Sequence, residues 1–288
     1  MTAWPRADHL ARPDSERGTG KLTIVGIGPG LPEHLTEAAR SALQTADAIY
    51  AAPLYQEFLA ADGLLTGARD TDEPTVLDSS RDALEAQAIE TFERVAAGET
   101  VVHVSGGDPT VYGKADLLLG LAETEATEEI PIEVVPGVTA GLGAAAALGA
   151  PLSKDFCTVS LSRTAQEQGA IGRKLEAAAA GGFVIVLYNV WRSLPAALSV
   201  ISDHRSRSVP VAVLEDVARG ETGRNPDGET VTVVSLAEAT DEITTETPGT
   251  LAIVGTEQSQ VFEPADGGQP FFLTPRNADS PLHDFDNE

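Results

Sequence analysis

From Lys21 onward the chain alternates short, almost unbroken apolar runs with longer segments whose apolar residues return every three or four positions. "KLTIVGIGPG" predicts a buried strand that runs into a glycine turn. "LTEAARSALQTADAIYAAP" predicts a helix with Ala, Leu and Ala at helical spacing, then a short strand around Ala48–Ala51. In "SSRDALEAQAIETFERVAAGE" the amphipathic period is strong. Ser79 or Ser80 would cap this helix, Asp82 and Glu85 suit the positive end of its dipole, and Gly98 closes it. "TVVHVSGGDP" and "IPIEVVPGV" predict two more strands, with the acidic loop "ETEATEE" before the second. "TAGLGAAAALGAP" predicts a helix of small residues that stops at Gly149, Ala150 and Pro151. Strands this continuously apolar are covered on both faces, so the expected class is α/β, with a parallel or mixed sheet packed by helices.

The second half changes rhythm. "FCTVSLS", "GFVIVLYN", "VPVAVLED", "TVTVVSL" and "TLAIVG" predict five strands, some alternating with period two, and "AIGRKLEAAAAG" and "SLPAALSVISDHR" predict intervening helices. This change sets a domain seam near residues 150–153. The expected organisation is a loose tail over 1–20, a first α/β domain over 21–150, a second over 151–263, and an acidic tail rich in Pro and Gly over 264–288. No internal repeat is visible.

Charge narrows the function classes. The 288 residues carry 19 Lys+Arg against 44 Asp+Glu, a formal charge of −25, and lysine occurs only at Lys21, Lys114, Lys154 and Lys174. Phosphate backbones and anionic lipid surfaces need a basic footprint, so neither nucleic acid nor membrane is an expected partner. Excess acid with scarce lysine suits a salt-rich cytoplasm, where a Debye length of ~3 Å at ~1 M screens self-repulsion. Cys157 is the only cysteine, which excludes an internal disulfide and the Cys-rich zinc motifs. The opening "MTAWPRADHLARPDSERGTG" lacks the apolar core of a secretory signal, and "GVTAGLGAAAALGAPL" is too short and too small-residued to span a membrane. A cytoplasmic protein is expected.

Chemistry concentrates at the strand ends. "GIGPG" places Leu31 where a dinucleotide fingerprint needs its third glycine, and Pro29 interrupts the loop. "VSGGDP" has no following GK[ST] for a phosphate loop, and Ser105 lacks the flanking glycines of a nucleophile elbow. Gly106 and Gly107 instead remove Cβ atoms at the edge where α/β sheets bind ligands, with Asp108 offering acceptors and Pro109 fixing a torsion. "VVPGVTAG" repeats the grammar, with the Thr139 hydroxyl at a helix start, and "VLYN" ends in Tyr188 and Asn189. His9, His34, His103, His204 and His283 are scattered without metal-ligand spacing, and His103 in mid-strand reads as an interior histidine. No metal site is expected.

In this order, "VGIGPGLPEHLT", "VSGGDPTVYGKA", "VVPGVTAGLGAAAALGAPL", "FVIVLYN" and "TPGTLAIVG" resemble the tetrapyrrole methylase family of S-adenosylmethionine (SAM)-dependent methyltransferases, over about residues 21–276. The resemblance implies two α/β domains with a SAM-binding cleft between them, a homodimer, and a tetrapyrrole substrate. "APLSKDFCTVSLS", "IGRKLEAAAAGGFVIVLYN" and "LTPR" are similar to the branch that methylates C(17) of precorrin-3B or its cobalt-precorrin counterpart, with ring contraction, in cobalamin biosynthesis. This chain departs from that branch with SGGDP in place of SSGDP, a reduced "VWRSLP" after YN, and "LEDVARG" for an arginine–asparagine stretch. Another corrin carbon, the side-chain methylation of diphthine synthase, and a non-catalytic SAM- or tetrapyrrole-binding module stay open. By resemblance SAM would contact Pro29, Gly106, Gly107, Asp108, Val111, Thr139, Ala140, Tyr188 and Asn189, with Thr250, Leu251 and Ala252. His103, Ser105, Lys114, Asp155 and Tyr188 are the unranked candidates for proton transfer. A polycarboxylate substrate needs local cations in so acidic a chain, for which Lys154, Arg163 and Arg192 are the candidates.

Overall fold

The apolar runs of the first half pair edge to edge as parallel strands. In the computed structural model, which describes residues 10–11, 20–65, 74–80, 82–127, 129–162, 165–219, 228–242 and 249–276, the chain divides into two units, Met1–Thr139 and Ala140–Glu288. The first holds β1 (Leu10–Ala11), β2 (Lys21–Gly26), α1 (Glu37–Gln44), β3 (Ala48–Ala51), α2 (Pro53–Ala61), β4 (Thr75–Asp78), α3 (Leu84–Ala96), β5 (Thr100–Ser105), α4 (Ala115–Glu125) and β6 (Ile130–Val135). Their order is β1-β6-β2-β5-β3-β4, and every pairing is parallel. A helix follows β2, β3, β4 and β5 because a parallel neighbour requires a long return path.

Neighbouring residues on one strand serve opposite faces. Ile24, Tyr50 and Val101 pack with Phe92 and Leu118 in one core layer, while Val25, Ile49 and Val102 pack with Leu43 and Leu59 in another. Both faces being covered, β2 and β5 read as continuous rather than alternating apolar runs.

The second unit contains α5 (Ala140–Leu148), β7 (Gly149–Ala150), β8 (Phe156–Ser160), α6 (Ala165–Ala180), β9 (Val184–Tyr188), α7 (Leu194–Ser202), β10 (Pro210–Glu215), β11 (Thr230–Ser235), α8 (Leu236–Glu242), β12 (Leu251–Val254), β13 (Gln260–Phe262) and β14 (Phe271–Leu273). Its main sheet runs β11-β10-β12-β9-β8. β8 and β9 are parallel, and the other neighbours antiparallel.

The structure differs from the sequence expectations in several places. The small-residue helix α5, expected before the seam, belongs to the second unit because Ala144, Ala145 and Leu148 pack against Val186, Ile253 and Phe272. Part of the expected C-terminal tail is ordered pairing: β14 lies parallel to β7 and antiparallel to β13, and Phe272 is fully buried. Within the expected N-terminal tail, Leu10 and Ala11 pair with Ile130 and Pro131. The cap of α3 also differs. Ala83 occupies the cap position, while the Ser80 hydroxyl accepts the N–H of Ala83 and Ser79 serves elsewhere. Helices α2 and α4 were not anticipated.

One buried cation joins the ends of several elements. Arg205 is 6% exposed. Its guanidinium donates to the carbonyls of Ala178 and Ala179 near the end of α6, and to those of Phe183 and Gly255. Helix-end carbonyls lack intrahelical partners and carry partial negative charge, so a fork of donors suits them. Arg205→Met is expected to destabilise the protein by about 2–4 kcal/mol, because the Phe183 and Gly255 carbonyls lose this donor, whereas Ala178 and Ala179 keep the N–H groups of Phe183 and Gly182. Arg205→Lys should fall between the two, and denaturant titration at fixed salt measures the series.

Candidate functional site

The sheet order places three glycine turns side by side. β6, β2 and β5 are adjacent and parallel, with Gly26 level with Ser105 and Val25 level with Val135. The turns that leave them therefore share one edge. Gly28 and Gly107 exchange backbone hydrogen bonds, Gly28 N–H to Gly107 O at 3.2 Å and Gly107 N–H to Gly28 O at 2.7 Å. Asp108 ties the third turn in: Oδ2 accepts the Gly137 N–H at 3.0 Å, and Oδ1 accepts the N–H and hydroxyl of Thr110 at 2.8 and 2.5 Å. This carboxylate, expected as a ligand acceptor, is only 9% exposed and holds the turns to each other.

The glycines have a second reason beyond ligand approach. A Cβ on Gly26 would lie 2.7 Å from both Gly107 O and Gly137 N, and one on Gly137 would lie 2.2 Å from Gly107 O. A Cβ on Gly106 would strike the Tyr55 hydroxyl. Gly107 has φ +67°, a left-handed conformation that side chains disfavour.

Beside these turns lies a cavity of about 230 Å³, lined in part by Tyr55, Ser79, Ser105, Gly106, Tyr112 and Lys114. Lys114 Nζ donates to Ser79 Oγ at 2.7 Å, and burial lowers its ammonium to about 8. Sequence reasoning missed Tyr55, which carries no motif, and read Ser79 as a helix cap.

His103 is removed from solvent. It is fully buried, stacked on Tyr50 with centroids 4.5 Å apart, and its Nε2 lies 2.7 Å from Thr91 Oγ1. The Thr91 hydroxyl donates its single hydrogen to Gln87 O at 2.8 Å, so toward His103 it accepts, and Nε2 carries the proton. Burial, with the Lys114 charge adding to it, lowers the imidazole to about 3. The interior reading of His103 matches this geometry.

In the second unit, Tyr188 ends β9, and its hydroxyl accepts the Gly141 N–H at 2.8 Å in the first turn of α5. Asn189 follows at φ +54° and donates from Nδ2 to Ser160 Oγ at 3.0 Å. Because β12 is antiparallel to β9, with Ala252 level with Leu187, the start of β12 reaches the same edge. Thr250 there is 2% exposed and donates to Glu215, which also takes the Thr230 hydroxyl. Glu215 escaped sequence reasoning, since one acidic residue ending a strand has no distinguishing pattern.

Not every candidate gathers at this edge. Lys154 and Asp155 precede β8, whereas Ser160 and Tyr188 are level at the far ends of β8 and β9, so the strand length separates them. Lys154 Nζ is held instead by Gln258 Oε1. Arg163 lies outside the described residues, and exposed Arg192 follows Tyr188 at φ +61°. Among the described residues no group of three or more His, Cys, Asp or Glu is arranged to hold a metal ion, and no helix is long and apolar enough to cross a membrane.

Parallel strands ending in interlocked glycine turns, without a phosphate-loop lysine, define an α/β protein whose glycine-lined sheet edge is its candidate ligand site. The family model described as Tetrapyrrole (Corrin/Porphyrin) Methylases matches residues 21–240, and the chain belongs to that family. It is 34% identical over 261 residues to the "Precorrin-3B C(17)-methyltransferase" of Sinorhizobium sp, covering 90% of this chain and 97% of that protein. It is 33% identical over 208 residues to the "Cobalt-factor III methyltransferase" of Priestia megaterium, covering 69% of this chain but only 37% of that longer protein. Among solved structures, the methyltransferase CobJ matches with a TM-score of 0.73 at 27% identity, covering 89% of this chain and 100% of that one.

Two outcomes follow from the geometry. Gly137→Ala should disrupt the turns, lowering stability and ligand binding together, because its Cβ meets backbone. Gly120→Ala in α4, where nothing lies within 4 Å, should stabilise by about 0.5–1 kcal/mol. Thermal melts compare them. The second concerns pH. With the folded imidazole lowered from 6.5 to about 3, the unfolded chain binds a proton that the folded chain refuses. Its contribution is full above pH 6.5 and lost as pH falls toward 3. His103→Gln should flatten the melting-temperature slope in that window.

Proposed function

We propose that this chain is a SAM-dependent C-methyltransferase of cobalamin biosynthesis, methylating C(17) of precorrin-3B or its cobalt-bearing counterpart with contraction of the macrocycle. The observation that carries this reading is the match to the Sinorhizobium protein, which extends over 97% of that protein's length. The first unit's turns fit the methyl donor. Their backbone donors and acceptors suit an amino acid and an adenosine, and the Asp108 carboxylate among them favours a sulfonium cation over a pyrophosphate.

SAM supplies a methyl group already activated on sulfur, so no protein nucleophile is required. Pro29, Gly106, Gly107, Val111 and Thr139 are the proposed contacts in the first unit, with Asp108 fixing the turns. In the second unit the family pattern adds Ala140, Tyr188, Asn189, Thr250, Leu251 and Ala252. The task of these residues is to hold an electron-rich carbon in line with the methyl group, at ~3–3.5 Å in a productive pose. Ring contraction also needs proton transfer. Lys114 and Ser105 line one cavity, and an ammonium lowered to about 8 exchanges a proton more readily near neutral pH than an ordinary lysine.

The reading includes a cytoplasmic homodimer adapted to salt. Light scattering at working salt tests the dimer, and a melting temperature rising steeply from ~0.1 M to ~1 M salt tests the adaptation. For the activity, incubation with methyl-labelled SAM and a panel of precorrin and cobalt-precorrin intermediates should transfer label to precorrin-3B or cobalt-factor III. Label on a different intermediate would reassign the carbon, and label on none would remove the catalytic reading.

A further inference from the structure

The loop that leaves β9 exposes an unusual pair for so acidic a chain. Trp191 is 42% exposed, and the chain has only one other tryptophan, Trp4. Arg192 places its guanidinium 4.2 Å from the centre of the Trp191 ring. No carboxylate pairs with Arg192 among the described residues, although acids outnumber Lys+Arg by 44 to 19. Two residues of this loop, Asn189 at φ +54° and Arg192 at φ +61°, are left-handed without being glycine. Such backbone persists where surrounding structure enforces it, and it concentrates at ligand sites.

We propose that Trp191 and Arg192 form a platform and anchor for a flat polycarboxylate macrocycle: the indole stacks against the ring, and the guanidinium pairs with a peripheral carboxylate. The inference rests on the tetrapyrrole reading above and names residues for its substrate side. Indole offers a large rigid face with few torsions to freeze, which suits a planar ligand. The guanidinium covers one face of that ring, so the macrocycle takes the other face, and a peripheral carboxylate that reaches past the indole edge meets Arg192. Contact at this range does not depend on the overall field, which at −25 repels a polyanion. Tyr188 and Asn189 lead directly into the same loop, so the platform adjoins the second unit's own proposed methyl-donor contacts.

The test uses uroporphyrin, a stable planar polycarboxylate macrocycle, and the full chain carrying Trp4→Phe so that Trp191 is the only emitter. Uroporphyrin should quench Trp191 emission saturably, and S-adenosylhomocysteine should not compete. Because quenching by energy transfer reaches beyond contact, affinities of the variants decide. Trp191→Ala and Arg192→Asn, the latter keeping a residue that tolerates positive φ, should each weaken uroporphyrin roughly ten- to a hundred-fold. Both should leave S-adenosylhomocysteine affinity unchanged, and Trp191→Phe should restore part of the loss. Wild-type porphyrin affinity in both variants would overturn the platform, even if the protein methylates precorrin-3B. Saturable, variant-sensitive porphyrin binding without methylation of any corrinoid would leave the platform standing and remove the C(17) reading.

Discussion

At the ends of three neighbouring strands, Gly26 and Gly137 lie so close to the Gly107 carbonyl that neither has room for a Cβ. This backbone-to-backbone contact is the constraint on which the first unit's candidate ligand edge depends. Gly28 and Gly107 satisfy each other's main-chain groups, and Asp108 closes the arrangement by accepting from Gly137 and Thr110. The turns are thus fixed by interactions among themselves. An edge whose turns already bond to one another needs less ordering on binding a ligand than a loose loop would.

Charge imposes a second constraint. The chain has few cations, and several described ones are committed inside the fold. Arg205 serves backbone carbonyls, Lys114 is partly buried on Ser79, and Arg40 and Arg94 pair with nearby acids. Recognition of an anionic partner must then rely on a few cations acting at contact distance. The exposed Arg192 beside Trp191 is the cation proposed for that role.

Buried polar groups in the first unit divide into structural and chemically available ones. His103, stacked on Tyr50 and held neutral by burial, fixes the interior of β5 against α3 through Thr91. Lys114 and Ser105, by contrast, border an open cavity. The same strand and its following turn therefore carry a packing residue and reactive candidates within a dozen positions.

The sequence by itself determined the elements whose signals are local. Continuous apolar runs marked β2, β5, β6 and β9, and strand-end glycines marked the turns, because burial on both faces and steric freedom are written in contiguous residues. It also carried the family pattern, whose motifs are contiguous too. Only the tertiary structure decided which turns are neighbours, since the order β6-β2-β5 joins segments about a hundred residues apart. It likewise assigned α5 to the second unit and made a strand of Phe271–Leu273. Lys154 and Asp155 separated from Tyr188 for the same reason: strand direction puts opposite ends of parallel β8 and β9 a strand length apart. Tyr55, Ser79, Arg205 and Glu215 gained their roles from partners distant in sequence, and no local pattern encodes a partner that arrives only when the chain has folded.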